Sequence, residues 1–268
     1  MEADILSLIA RRPAMADAYL NLAAYKFLDW DALTKRRDRI EASGLEFGVR
    51  GTVLLAPEGI NLIVSASPEA AEAWLRVLCA DPLLADLDVK RSRSRQCEFG
   101  KWRVRVKKEI ITLRQPQIRP QDRRAESVRP VDLARWLESG HDDEGRPVRL
   151  LDTRNTFEVK AGSFDSAMNL ELNSFTDFPQ AIANRAEQFA GMRVVSFCTG
   201  GIRCEKAALL MQQAGIENVV QLEGGILRYF EEVGARHWRG ELFVFDQRVG
   251  LDPRLQATYS APADPGCK

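Results

Sequence analysis

Cys198 opens the segment Cys198-Thr199-Gly200-Gly201-Ile202-Arg203, and residues of these types at this spacing suit a reactive thiolate. The segment lies between an apolar run, Arg193–Phe197, and a stretch of helical periodicity from Cys204 to Ala214 that Gly215 can cap. A loop of that length between a buried strand and a helix can curl so that the N–H groups of Thr199, Gly200, Gly201 and Ile202 converge on the sulfur. The positive end of the helix dipole adds to them. Gly200 and Gly201 permit positive φ and keep the mouth open. Arg203 supplies a fixed cation nearby. Each effect favours thiolate over thiol, which makes Cys198 the candidate nucleophile and Arg203 its catalytic partner. A cysteine ending a buried strand is more often a small core residue, but the glycines and the arginine outweigh that reading here. Cys204 is either a second reactive thiol or a side chain packed beneath the loop. Glu205 and Lys206 are assigned to the helix start and its surface.

The elements holding this loop read as alternating helix and strand from Pro130 onward. A proline-started helix spans Pro130–Ser139, and strands follow at Val148–Thr153 and Ala167–Leu170. One helix from about Pro179 to Phe189 buries Ile182, Ala186 and Phe189. Arg193–Phe197 has the near-continuous apolar character of a strand buried in a parallel sheet. Val219–Leu222 and a helix over Ile226–Val233 close the domain, with Gly224-Gly225 serving as a cap or as a point of close approach to substrate. This is an α/β domain with a parallel sheet, whose ligand crevice lies at the carboxyl ends of the strands. Asp152 and Arg154, at the end of the first strand, read as a structural ion pair bracing the loop.

The first half reads β-α-β-β-α-β, the order of a ferredoxin-like (acylphosphatase-like) α+β sandwich with helices on one sheet face. Strands are expected at Tyr19–Phe27, Val49–Ala56, Ile60–Ser65, about Leu87–Arg93 and Lys101–Leu113. The first helix spans about Asp31–Ser43, with Gly44 and Gly48 bracketing its end. The second follows Ser67-Pro68, an N-cap and first-turn proline. The turn Pro57-Glu58-Gly59 joins two strands, and Gly59 and Asn61 shape that hairpin. In the last strand Lys101, Arg103, Arg105 and Lys107 alternate with Trp102, Val104 and Val106, so the four cations share one face.

The chain has 268 residues and zero formal net charge, yet Val89–Arg129 carries fourteen Lys or Arg against four Asp or Glu. Such asymmetry suits a surface for a polyanion, and Arg91 and Arg93 join the four strand cations as candidate RNA contacts. Five dispersed cysteines without a C-x-x-C pair argue against a disulfide scaffold or zinc ribbon, and two histidines argue against a His-rich metal site. Cys79 sits in an apolar helical stripe; Cys97 and Cys267 have no evident partner. No apolar run reaches the ~20 residues of a membrane span, and the first fifteen residues lack a secretory signal, so a reducing cytoplasm is expected. The expected domains are 1–114, a linker at 115–129 rich in proline and polar residues, 130–240, and a tail at 241–268.

The C-x4-R loop after a strand, with Leu151-Asp152-Thr153-Arg154 and Ala161-Gly162-Ser163-Phe164 upstream, resembles the rhodanese superfamily, which forms persulfides on this cysteine. Four residues separate Cys198 from Arg203 where the phosphatase branch uses five, which disfavours phosphatase chemistry. Ser163 stands where that superfamily often has histidine. A narrower resemblance covers nearly the whole chain. Gly51–Asn61 (GTVLLAPEGIN), Arg103–Ile110, Cys198–Lys206 (CTGGIRCEK), Leu222–Ile226 (LEGGI) and Gly240–Arg248 are similar, in order, to the oxygen-dependent tRNA uridine(34) hydroxylases (TrhO).

That resemblance implies hydroxylation of the wobble uridine to 5-hydroxyuridine, with molecular oxygen as co-substrate and the tRNA anticodon arm as partner. It implies a ferredoxin-like domain ahead of the rhodanese domain, and Cys204 as a second site residue. No cofactor, metal or protein partner is evident in the sequence. Longer family members carry a cysteine-rich C-terminal extension, whereas this sequence closes on Asp264-Pro265-Gly266-Cys267-Lys268 without metal-type spacing. The expected chemistry is addition of Cys198 to C6 of uracil, which makes C5 nucleophilic toward oxygen; a Cys198 persulfide intermediate is the alternative. Two rivals remain: a rhodanese-type sulfurtransferase and a catalytically weak RNA-binding or scaffolding protein.

Overall fold

The computed structural model describes residues 18–183, 185–246 and 248–258. Tyr19–Phe27 (β1) alternates as a half-buried strand should, with Leu20, Leu22 and Ala24 in the core. It is followed by Leu33–Glu46 (α1), Arg50–Ala56 (β2), Gly59–Ala66 (β3), Pro68–Cys79 (α2) and Val89–Ser94 (β4). The Ser67 hydroxyl accepts from Ala70 N–H at 3.3 Å and Pro68 opens α2, as expected. These elements form the ferredoxin-like order β4-β1-β3-β2, and Trp102–Val106 (β5) adds a fifth strand parallel to β2. The cationic strand is therefore an appended edge strand, shorter than the expected Lys101–Leu113.

Helix α1 runs through Gly44 instead of stopping before it. The Trp102 indole supplies the reason: a Cβ on Gly44 would sit 2.2 Å from Trp102 Cζ2. The same indole donates to Glu41 O at 3.1 Å and stands edge-on to Trp74 at 5.8 Å. Glycine is kept here for space, at some cost in helix propensity.

Cross-strand register divides the predicted cations. Arg105, Leu54, Asn61 and Tyr25 form one row across β5, β2, β3 and β1, and Arg103, Thr52, Ile63 and Ala23 form the next. Both rows lie on the face opposite the helices. Lys101, Arg103, Arg105 and Lys107 are exposed. Arg91 and Arg93 sit on β4, at the far edge, paired with the core residues Leu22 and Leu20. They point to the helix side, where Arg91 bonds Glu72 at 2.8 Å. One continuous cationic face is thus not formed.

The second domain is built on a sheet of Ser127–Val128 (β6), Val148–Asp152 (β7), Met168–Asn169 (β9), Arg193–Phe197 (β10) and Val219–Leu222 (β11) in the order β6-β11-β10-β7-β9, with every pair parallel. Around it lie Pro130–Ser139 (α3), Thr156–Ala161 (α4), Phe178–Ala183 (α5), Ile202–Gln213 (α6) and Gly225–Glu232 (α7). Gly162–Phe164 (β8) pairs with Trp238–Gly240 (β12), and Leu242–Phe243 (β13) with Gly250–Leu251 (β14). Two expectations need correcting. The linker is packed: Ile118 and Ala125 are buried in the second core, and β6 joins its sheet. The single helix expected to Phe189 is broken after Ala183, where Arg185 folds its guanidinium back onto Ala181 O at 3.1 Å. Among the described residues no helix is long and apolar enough to cross a membrane.

The domains are joined by an ionic knot that was not foreseen. Lys206, 1% exposed and not on the surface, donates to Glu58 at 2.8 Å, Glu109 at 2.7 Å and Ile111 O at 3.0 Å. Beside it Phe27, Ala56 and Ile110 pack with Ile202 of the cysteine loop. A buried ammonium with two carboxylates and a carbonyl is fully satisfied, so it fixes α6 against the first domain.

Helix propensity alone would make Gly44→Ala stabilising by about 1 kcal/mol. The Trp102 contact predicts the opposite sign, a loss of roughly 1–3 kcal/mol from overpacking. Urea unfolding of the variant decides between them, and a raised midpoint would contradict the packing explanation.

Candidate active site

Strand β10 ends at Phe197, α6 begins at Ile202, and the four residues between them form the expected loop. Cys198 has no exposed surface. Gly201, at φ 100°, donates its N–H to the sulfur at 3.1 Å. Of the four loop amides expected to converge, Gly201 makes this bond. The loop carbonyls are turned away by α7: Ile226 N–H donates to Cys198 O at 3.0 Å and Leu227 N–H to Thr199 O at 3.1 Å. A Cβ on Gly225 would meet Cys198 O at 2.5 Å, so this glycine allows α7 to approach the loop backbone. With its carbonyls bound outward, the loop leaves N–H groups for the sulfur.

Burial alone would push the Cys198 thiol up, but a hydrogen bond from Cys204, the charge of Arg203 and the N–H groups of Arg203 and Gly201 outweigh it and lower it to about 6. Cys204 is also fully buried. Burial and the neighbouring Cys198 charge push its thiol well up, so it stays an S–H donor, with Thr153 Oγ1 at 3.6 Å. Its burial and its place beside the sulfur give Cys204 an electrostatic effect on Cys198.

Arg203 is 6% exposed and forms a two-pronged pair with Glu158, at 2.6 and 2.8 Å. Glu158 is completely buried and also accepts from Asn155 N–H at 3.1 Å. It went unrecognised in the sequence, although Asn155-Thr156-Phe157-Glu158 has the spacing of a helix capping box. Asp152 and Arg154 form the expected buried ion pair at 2.6 Å. Ser163 Oγ donates to Asp152 at 2.8 Å and Arg154 donates to Gly162 O at 2.7 Å, so the pair ties β7 to β8. The Arg154 guanidinium lies 5.9 Å from the ring of Phe197, the residue before the cysteine.

The loop opens into a cleft of about 820 Å³ walled by both domains, including Ala23, Tyr25, Asn61 and Ile63 from the open sheet face. A cleft of this size can take a flattened ring with its attached sugar. The Tyr25 hydroxyl donates to Glu205 at 3.4 Å and lies 2.8 Å from where a Gly201 Cβ would project. Burial, with Glu205 and Cys198 nearby, pushes its phenol well up, so it remains a neutral donor. Glu205 is 5% exposed and accepts also from Gln221 at 3.3 Å. Tyr25 carried no recognisable motif and Glu205 was assigned to the helix start; only the topology brings β1 of one domain to the helix start of the other. Among the described residues no group of three or more His, Cys, Asp or Glu converges as a metal site. Cys267, with residues 247 and 259–268 of the tail, lies outside the described residues.

Residues 19–110 match the UPF0176 acylphosphatase like domain and residues 132–232 the Rhodanese-like domain. A Cupriavidus taiwanensis protein named tRNA uridine(34) hydroxylase is 54% identical over 241 residues, 88% of this chain and 84% of its own length. A relative of the same name from Cupriavidus pinatubonensis is 52% identical over 237 residues, with the same coverage. A third, from Burkholderia vietnamiensis, is 52% identical over 246 residues, 90% of this chain and 86% of the relative.

The thiolate absorbance lost on Cys198→Ala is expected to titrate in the wild-type protein with a midpoint of about 6, against ~8.5 for a free cysteine. Cys204→Ala removes the S–H donor and should move that midpoint up by about one pH unit or more. An unmoved midpoint would leave Cys204 a packing residue alone.

Proposed function

The chain belongs to the tRNA uridine(34) hydroxylase family, and we propose that it hydroxylates C5 of the wobble uridine with Cys198 as the reacting group and molecular oxygen as co-substrate. The observation that carries the assignment is the fully buried Cys198, its sulfur bound by the Gly201 N–H, at the base of a cleft shared with the open sheet face of the first domain. Wobble uridine lies in a single-stranded loop, where a base can be turned out without opening a duplex.

In this reading the Cys198 thiolate adds to C6, and the electron pair of the C5–C6 bond becomes available at C5. Attack of C5 on oxygen gives a C5 peroxide anion, which takes a proton from solvent to become the hydroperoxide. A cellular reductant supplies two electrons and two protons, which cleave the O–O bond, leave a hydroxyl on C5 and release water. Loss of the C5 proton and departure of the thiolate restore the double bond. The Gly201 N–H and Arg203 keep the departing sulfur anionic, while Glu158 holds Arg203 in place. Cys198 has no exposed surface in this state, so entry of the base requires neighbouring side chains to move; Tyr25, against the loop, is one of them.

Lys101, Arg103, Arg105 and Lys107 are the cations proposed to hold the anticodon arm. Their side chains make no ion pair among the described residues, and the Arg105 row leads across the sheet to Tyr25 at the cleft. Arg91 is bound to Glu72 at the opposite edge, and with Arg93 contributes less directly. A tRNA substrate places the reaction in the cytoplasm.

Nucleoside mass spectrometry of tRNA incubated with the protein, a reductant and isotopically heavy oxygen gas tests the assignment. One heavy oxygen on uridine 34, absent with Cys198→Ala, is expected. Hydroxylation that survives Cys198→Ala would refute the role of the thiolate. No hydroxylation, together with thiocyanate formed from thiosulfate and cyanide, would establish a sulfurtransferase instead.

A further inference from the structure

Phe157 and Phe245 are 39% and 57% exposed, and among the described residues no other phenylalanine, tyrosine or tryptophan is as open. They are neighbours. Their ring centroids are 6.2 Å apart, and the half-buried Phe243 stands edge-on to both, at 5.1 Å from Phe157 and 5.2 Å from Phe245. Single exposed apolar side chains need no explanation, but a cluster of the only open aromatics does. Its position supplies one, because Phe245 lines the cleft that holds Cys198, and Phe157 is followed directly by Glu158, the partner of Arg203.

The segment that carries Phe243 and Phe245 is anchored on both sides. Strand β13 pairs with β14, and Arg248, 4% exposed, bonds Asp246 at 2.5 Å and Ser92 of the first domain at 2.8 Å. Phe245 lines the cleft with Phe157 and Phe243 packed edge-on around it, so a flat aromatic surface borders the cleft. Thr199 Oγ1, shielded from solvent at the base of the same cleft, has no hydrogen-bond partner among the described residues. A polar ring entering beside the apolar rim would supply one.

We propose that Phe157, Phe243 and Phe245 form a stacking platform for an unpaired base next to the target base of the RNA loop. This rests on the functional reading above. Turning one base into the cleft deprives its neighbours of a stacking partner, and aromatic side chains replace such partners without regard to base identity. The partner is therefore single-stranded RNA flanking the modified position, and the platform and the cationic strand β5 bind different parts of it: base face and phosphate.

The test is a binding cycle with an anticodon stem-loop, measured by fluorescence anisotropy. Phe245→Leu keeps apolar bulk but removes the ring, and at an exposed site it should leave the thermal unfolding midpoint unchanged. The expected result is binding weakened about 5-fold or more. The effect should disappear when the nucleotide immediately 5′ or 3′ of position 34 is made abasic. Loss that is equal with intact and abasic loops, or no loss, would overturn the platform while leaving the hydroxylase assignment standing. A wild-type protein that fails to bind the intact loop would overturn both.

Discussion

A negative charge with no exposed surface is the constraint on which the rest of this site depends. A thiolate buried at Cys198 would be driven to the neutral thiol unless charge and dipoles meet it from several directions. The Gly201 N–H, the Cys204 S–H and the start of α6 face the sulfur, and Arg203 adds a full positive charge. Arg203 is itself buried and needs Glu158. The group of three thus carries one net negative charge, balanced by hydrogen bonds and the helix end alone. That arrangement requires the loop carbonyls to point elsewhere, which explains why α7 donates to them and why Gly225 must lack a side chain.

The same logic extends to the boundary between domains. Helix α6 starts at the reactive loop, and one turn later Lys206 is fastened to Glu58 and Glu109 of the first domain. The wall of the cleft contributed by β1 and β3 is therefore held in register with the sulfur by a buried ion cluster. Tyr25 reaches the loop because of it. Removing one member of such a cluster typically costs about 3–5 kcal/mol, since its partners remain buried and charged. The cleft is in this sense a product of both domains.

Much of this was legible from residue types and spacing. The strand-loop-helix around Cys198, the buried Asp152–Arg154 pair, the Ser67-Pro68 helix start and the ferredoxin-like order all follow local rules of period, capping and charge, and the structure has them. What escaped involves partners far apart in sequence. Lys206 looked like a surface lysine because its carboxylates lie about a hundred residues or more upstream. Gly44 looked like a helix stop because the indole that needs its space belongs to Trp102. Arg91 and Arg105 looked like one basic surface because sequence proximity hides the opposite sheet edges they occupy. Local chemistry is readable in one dimension, whereas shared burial is not.

The most direct test of the thiolate chemistry is an attempt to trap it. An anticodon stem-loop carrying 5-fluorouridine at position 34 would be incubated aerobically with the protein and the denatured product analysed by intact mass and peptide mapping. A mass increase of one stem-loop located on Cys198, abolished by Cys198→Ala and retained in Cys204→Ala, is the expected result. A protein that converts the natural stem-loop normally yet never carries the fluorinated one would contradict covalent addition, and with it the reason for holding a buried thiolate at this position.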